Sequence, residues 1–153
     1  MRASILLSAS MAPLAILAMP ANVHGISAFA KRQASPIKPA PCVSEMNTTA
    51  EETEFLAAGF ADAFVYDLNI TEAFTYIAAD YINHNPSVKN GSDAAWSALS
   101  PFWDQQNITV TRTGFKSPQS WLEYSGKFGA VVDRFRWEGG CIVEHVSAIH
   151  EDS

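Results

Sequence analysis

Positive charge is scarce in this 153-residue chain, with ten Lys and Arg against sixteen Asp and Glu. The resulting formal charge of −6 repels phosphate backbones and anionic headgroups, which argues against a nucleic-acid binder or a polybasic membrane adaptor. Cysteine is scarcer still: Cys42 and Cys141 are the only two, so at most one intrachain bridge can form. No internal repeat is present, and the length is that of one domain. Aromatic residues, in contrast, are plentiful. Nine Phe, four Trp and four Tyr provide the buried surface that a disordered chain lacks.

Charge is missing altogether between residues 3 and 30, where Arg2 precedes the apolar run Ile5, Leu6, Leu7, Leu14, Ile16, Leu17 and Met19. This pattern predicts a secretory signal peptide over residues 1–25, cut after Gly25 or as late as Ala30. The alternative is a membrane anchor, but Pro13, Pro20, Asn22 and His24 interrupt the run, and no transmembrane segment follows it. Lys31-Arg32 forms a dibasic processing site ahead of Gln33. Cleavage there would leave seven Lys and Arg with sixteen Asp and Glu, a net charge of −9.

Four sequons point to the same extracellular, secreted destination: Asn47, Asn69, Asn90 and Asn107 each precede an acceptor Ser or Thr, whereas Pro86 blocks Asn85. In an oxidising compartment Cys42 and Cys141 are expected to pair, with two buried free thiols as the alternative. Residues 26–46 read as a pro-segment and a Pro-rich arm, and residues 47–153 as the folded domain.

In that domain Thr49 and Glu52 have capping-box spacing, and Phe55, Leu56, Gly59, Phe60, Ala63 and Phe64 recur at helical intervals, predicting a helix to about Tyr66. Ala73, Phe74, Ile77 and Ala78 predict a second short helix, and Tyr81 to His84 an extended segment before Pro86. Ser92 is placed to cap a third helix bearing Ala95, Trp96, Leu99 and Trp103, which Pro101 should kink or break. Past residue 106 the period falls to two. Residues 108–115, 121–124, 128–137 and 141–149 then read as strands, with Glu138-Gly139-Gly140 as a hairpin turn. Helices followed by an antiparallel meander make an α+β fold.

Alternation on the third of these runs puts Asp133, Phe135 and Trp137 on one face and Arg134 and Arg136 on the other. On the last run His145 shares a face with Val143, Ser147 and Ile149. If Phe135 and Ile149 face the helices, Asp133 and His145 enter one cavity and could work as a general acid/base pair. Each could instead be a hydrogen-bonded core residue, and Arg136 could pair with Glu144 on the outer face. Nothing in the spacing of His84, Asp133 and His145 argues for a metal site.

Together, the His84-Asn85-Pro86 motif after Tyr81, the Asn90-Gly91 turn before a Trp-containing helix, Val132-Asp133-Arg134-Phe135-Arg136, and Gly140-Cys141-Ile142-Val143-Glu144-His145 resemble the SnoaL-like polyketide cyclases of the nuclear transport factor 2-like superfamily. The resemblance covers about residues 51–150. It implies a cone-shaped half-barrel, with N-terminal helices packed on a curved, mostly antiparallel sheet around an apolar pocket, commonly paired into homodimers through the sheet. It also implies acid/base chemistry on a small hydrophobic molecule, as in cyclases, isomerases and dehydratases, with no metal or organic cofactor. Non-catalytic binding or interaction modules on the same fold are the other expectation. His84, Asp133 and His145 match the family's polar pocket residues, with Tyr81, Trp96, Phe135 and Ser147 as expected pocket lining. The family usually follows its last histidine with Trp-Asp and uses that Asp as base; here Val146 and Ser147 stand there.

Overall fold

The computed structural model describes residues 35–127 and 129–150, with the side chains of Ile149 and His150 excepted. The expected signal peptide, its cut sites, the dibasic pair and the inward placement of Ile149 lie outside the described residues. Among the described residues, no helix is long and apolar enough to cross a membrane.

Thr49 opens α1 (Ala50–Ala61) with the expected reciprocal cap: its hydroxyl accepts from the Glu52 N–H at 3.2 Å, and Glu52 Oε2 accepts from the Thr49 N–H at 2.8 Å. The helix runs on into a wider π turn (Asp62–Tyr66), closed by Asp67 N–H donating to the Asp62 carbonyl at 2.8 Å. That widening lets three consecutive residues, Ala63, Phe64 and Val65, all be buried, which a regular amphipathic turn does not allow. Leu68 turns the chain at a φ of 53°, and Asn69 caps α2 (Ile70–Ala73) by accepting from the Glu72 N–H at 3.2 Å.

Two expectations fail in the next stretch. Ile77 and Ala78 do not continue a helix: a 3₁₀ turn (Phe74–Tyr76) leads straight into β1 (Ile77–Asn83), where Ile77 is in register with Ile142 and Ala78 bridges Cys42. Tertiary pairing overrides the helical spacing there. Ser92 does not cap α3 (Ser92–Leu99); Gly91 holds the N-cap position at a φ of 94°, and the buried Ser92 hydroxyl accepts from Lys38 Nζ at 3.1 Å. As expected from Pro101, α3 stops before Trp103, which sits in a separate 3₁₀ turn (Trp103–Gln105).

Four strands complete the domain: β2 (Thr109–Lys116), β3 (Gln119–Gly126), β4 (Gly129–Glu138) and β5 (Cys141–His150). The sheet order is β1-β5-β4-β3-β2, antiparallel throughout except for the β1/β5 pair, so the expected α+β, curved and mostly antiparallel architecture is present. Gly139 and Gly140 turn β4 into β5 at φ values of 55° and 77°, the left-handed pair that a two-residue hairpin requires. A Cβ on Gly139 would also lie 2.8 Å from the Glu45 backbone. Just beyond the turn a bulge shifts the register so that Trp137 opposes Ile142 and Arg136 opposes Glu144. The shift makes Val143 the extra residue, so the simple alternation placing Val143 on the face of His145 does not hold. Ile142, fully buried, takes the inward position instead.

The inner face is closed by aromatic packing. Phe60 stacks on Phe64 at 5.2 Å and meets Phe135 edge-on at 4.8 Å, while Phe64 stacks on Trp103 at 4.1 Å. The Trp103 indole N–H donates to the Phe64 carbonyl at 2.7 Å, so this ring satisfies its one polar atom internally. Cys42 and Cys141 form the expected disulfide, and the arm is held by further bonds from Cys42 N–H to the Ile77 carbonyl and Glu45 N–H to the Gly139 carbonyl, each at 2.9 Å.

The bridge spans a sequence separation of 99 residues. Loop-closure entropy for such a span gives it up to ~4.7 kcal/mol of stability. Replacing both cysteines by serine should therefore lower the urea midpoint markedly and raise the m-value, because the unfolded chain is no longer cross-linked; an unchanged midpoint would show that the bonds of the arm suffice without the bridge.

Candidate functional site

Asp133 lies near the middle of β4 and is only 4% exposed, on the face turned toward the helices. A carboxylate in that position demands partners, and the neighbouring strands supply them. On β5, His145 Nε2 lies 2.9 Å from Asp133 Oδ1; on β3, the Tyr124 hydroxyl donates to Asp133 Oδ2 at 2.7 Å. His145 Nδ1 in turn lies 3.1 Å from Asn83 Oδ1, and Asn83 is the direct β1 partner of His145. The amide of Asn83 is oriented by the Asn85 N–H, which donates to the same Oδ1 at 3.0 Å. That fixes the oxygen as an acceptor, so His145 Nδ1 carries a hydrogen. One further proton is then shared between Asp133 Oδ1 and His145 Nε2.

Apolar and aromatic groups enclose the pair. Phe135, the cross-strand neighbour of His145, stacks parallel to the imidazole at 4.9 Å, and Tyr81 lies parallel to it at 6.4 Å. Burial, reinforced by the charge of Asp133, pushes the Tyr81 phenol well up from its ordinary value. The same two causes act on Tyr124, where the hydrogen bond to Asp133 adds to them. Both phenols are therefore donors at neutral pH and not bases. Ser147 sits directly opposite Asp133 in the β4/β5 register, at the position where the resembled family carries its carboxylate.

The structure thus brings together five of the seven residues expected at the site from sequence: Asp133, His145, Tyr81, Phe135 and Ser147. The other two lie apart. His84 contributes its backbone N–H to the His145 carbonyl at 2.9 Å, but its half-exposed ring meets Glu144 Oε1 at 2.7 Å on the outer side of the sheet. Glu144 also accepts from Arg136 Nε at 2.5 Å, which bears out the expected outer-face pairing. Those two bonds, that from Arg136 first, hold the Glu144 carboxyl below the usual range. Trp96 packs edge-on against Phe74 at 5.1 Å and serves the core. Tyr124 and Asn83 were not singled out from the sequence. Counting register back from the tight Gly126 to Gly129 turn would have placed Tyr124 diagonally across from Asp133; Asn83 carried no comparable signal.

A groove of about 930 Å³ lies between the arm and α1 among Val43, Met46, Phe55, Leu56 and Tyr76, away from the pair. Asp133 and His145 show side-chain exposures of only 6% and 13%. A ligand would reach them through His145. Among the described residues, no cluster of His, Cys, Asp and Glu is arranged to hold a metal ion.

The same arrangement of helices and sheet recurs in solved structures. A nuclear transport factor 2-like protein of unknown function from Mesorhizobium loti matches with a TM-score of 0.55 at 17% identity, over 71% of this chain and 100% of that one. The chain has the nuclear transport factor 2-like fold. A second such protein, from Burkholderia xenovorans, matches with a TM-score of 0.55 at 13% identity, over 67% of this chain and 88% of that one. A candidate polyketide cyclase from Sinorhizobium meliloti matches with a TM-score of 0.50 at 11% identity, over 66% of this chain and 100% of that one. The resemblance read from the sequence is thus borne out at the level of the fold. No protein-family model matches the chain, and no curated protein does.

Tyr124→Phe removes one of the two bonds to a buried carboxylate while leaving the ring. The expected cost is about 1–3 kcal/mol in a urea unfolding experiment. A change within ±0.5 kcal/mol, the range of an ordinary surface substitution, would mean that Asp133 does not depend on this donor.

Proposed function

We propose that this protein is secreted and N-glycosylated, and that it binds a small hydrophobic molecule on which the Asp133–His145 pair performs acid/base chemistry of the isomerase, cyclase or dehydratase kind. The observation that carries the reading is the 2.9 Å contact between Asp133 Oδ1 and His145 Nε2 inside a sheath of Phe135 and Tyr81. The uncharged run over residues 3–30 and the sequons at Asn47, Asn69, Asn90 and Asn107 support secretion.

The chemistry follows from what each group has to give. Asp133 is the acceptor for a proton taken from carbon beside a carbonyl, and His145 is the donor that steadies the oxygen on which negative charge develops. Tyr124 and Asn83 position the pair by holding Asp133 Oδ2 and His145 Nδ1. For the reaction to begin, the substrate must take over one existing bond, and the 3.1 Å bond from His145 Nδ1 to Asn83 is the longest of the three. The return of the proton to a different carbon gives an isomer. Attack of the same carbanion on a second carbonyl of the molecule closes a ring as that carbonyl's π bond breaks, and the alkoxide formed takes back the proton from Asp133.

A second reading has its own support. Every polar atom of the pair already has a partner, and Ser147 replaces the carboxylate that the resembled family uses as base. A serine hydroxyl takes no proton at neutral pH, so the fold could serve as a binding module in which Asp133 and His145 only shape the site.

Native mass spectrometry of protein from culture supernatant, incubated with a metabolite extract, separates the readings by showing whether a captured compound is released changed or unchanged. Asp133→Asn is nearly isosteric and should keep the near-ultraviolet circular dichroism of the parent while lowering turnover at least about 100-fold. Ser147→Asp, which restores the family's usual base opposite Asp133, should raise it. Equal turnover by Asp133→Asn removes Asp133 as base, and release of unchanged compound by the parent favours the binding module. Secretion is tested separately by N-terminal sequencing: a start at Ile26, Lys31 or Gln33 is expected, and retention of Met1 on an unglycosylated intracellular protein contradicts it.

A further inference from the structure

The outer face of the sheet, opposite the Asp133 side, gathers most of the positive charge in the folded domain. Of the seven Lys and Arg in residues 35–150, four project from it by register: Arg112 opposite Glu123, Lys116 opposite Gln119, Arg134 opposite Trp121, and Arg136 opposite Glu144. Two of these are spent. Arg112 is bonded to Glu123 at 2.8 Å, and Arg136 is bonded to Glu144 and Glu138. The side chains of Lys116 and Arg134 have neither an ion pair nor a hydrogen-bond partner among the described residues. In a chain with so large an excess of carboxylates, two unpaired cations converging on one place is an arrangement with electrostatic consequences.

What they converge on is a groove of about 300 Å³, lined by Arg112, Lys116, Gln119, Trp121, Glu123 and Arg134. Its wall is aromatic. Gly114 pairs with Trp121 across β2 and β3, and the indole lies over the glycine so closely that a Cβ there would come within 2.3 Å of Cζ2. The absent side chain of Gly114 is what lets the ring lie down against the strand.

We propose that this groove is a second binding site, for a small planar carboxylate. The carboxylate would be gripped by the guanidinium of Arg134, whose planar donors suit a two-oxygen acceptor, with Lys116 as a second, point-like cation. The flat apolar body would lie against Trp121, and the Gln119 amide offers a further polar contact at the rim. The volume is at the lower end of the range for small-molecule sites, which excludes a folded partner as occupant of the groove itself. Two cations are also too few to track a nucleic-acid backbone, so the acidic balance of the chain and this local basic site do not conflict. The site lies on the other side of the sheet from Asp133 and stands independently of any chemistry there.

The probe is 1-naphthoate, with neutral 1-naphthalenemethanol and inorganic phosphate as controls, read by ¹H–¹⁵N NMR of the indole and backbone N–H signals and by calorimetric titration. Naphthoate should shift the Trp121 signal, bind less tightly as salt is raised, and bind about tenfold less tightly for each of Lys116→Gln and Arg134→Gln. The two controls should leave Trp121 unshifted. Both variants are exposed and should keep the parent circular dichroism. Equal naphthoate affinity in the doubly substituted protein, or shifts centred on Tyr81 and Tyr124, would overturn the proposal. So would sedimentation showing that the double substitution converts a dimer to monomers while naphthoate has no effect, since the face would then be a contact between copies.

Discussion

A carboxylate buried in an aromatic core is the constraint on which the rest of this structure depends. Asp133 is surrounded by the rings that close the domain, and it is tolerable there because each oxygen has a donor. The donors come from strands on both sides, and the chain of bonds follows the order of the sheet: Asn83 on β1, His145 on β5, Asp133 on β4, Tyr124 on β3. Slippage of any of these strands by one residue would turn a member of this series to the other face and strand a buried polar group. The polar series therefore specifies register where apolar packing alone would tolerate alternatives. The chemistry proposed for the pair uses the same atoms that hold the sheet in register.

The arm and its disulfide address a different weakness. β1 is the edge of the sheet, joined to β5 by a parallel pairing that is interrupted between Ile77 and Ile82. Cys42 lays the arm against the start of β1 through the bridge to Ala78, and the covalent bond to Cys141 ties that arm to β5. The edge strand is thereby covered along its first residues, where it would otherwise present unpaired backbone groups. The far end of β1, which carries Asn83, is held by the Asn90 side chain accepting from the Asn83 N–H at 2.9 Å. Both ends of the strand that orients His145 are thus restrained.

Much of this could be read from residues alone, because the signals were local. Thr49 and Glu52 announced the start of α1, Pro101 the end of α3, and the two glycines the last hairpin. Asp133 and His145 were legible since both interrupt apolar strands. What escaped required knowledge of pairing. Ile77 and Ala78 have helical spacing but are claimed by β5 and the arm; Val143 looked inward until the bulge moved Ile142 into its place; His84 stood out in its motif, yet Glu144 draws its ring outward. Tyr124 and Asn83 belong to the same class, since each acquires its role only from the strand beside it.

The central claim is that Asp133 and His145 form one hydrogen-bonded unit oriented by Asn83. Nitrogen NMR of the His145 imidazole tests it most directly. Nδ1 should bear its hydrogen and show the coupling of a bonded N–H, and this signal should be lost or moved in Asn83→Ala. An Nδ1 without hydrogen in the parent protein, or a His145 spectrum indifferent to the removal of Asn83, would contradict it.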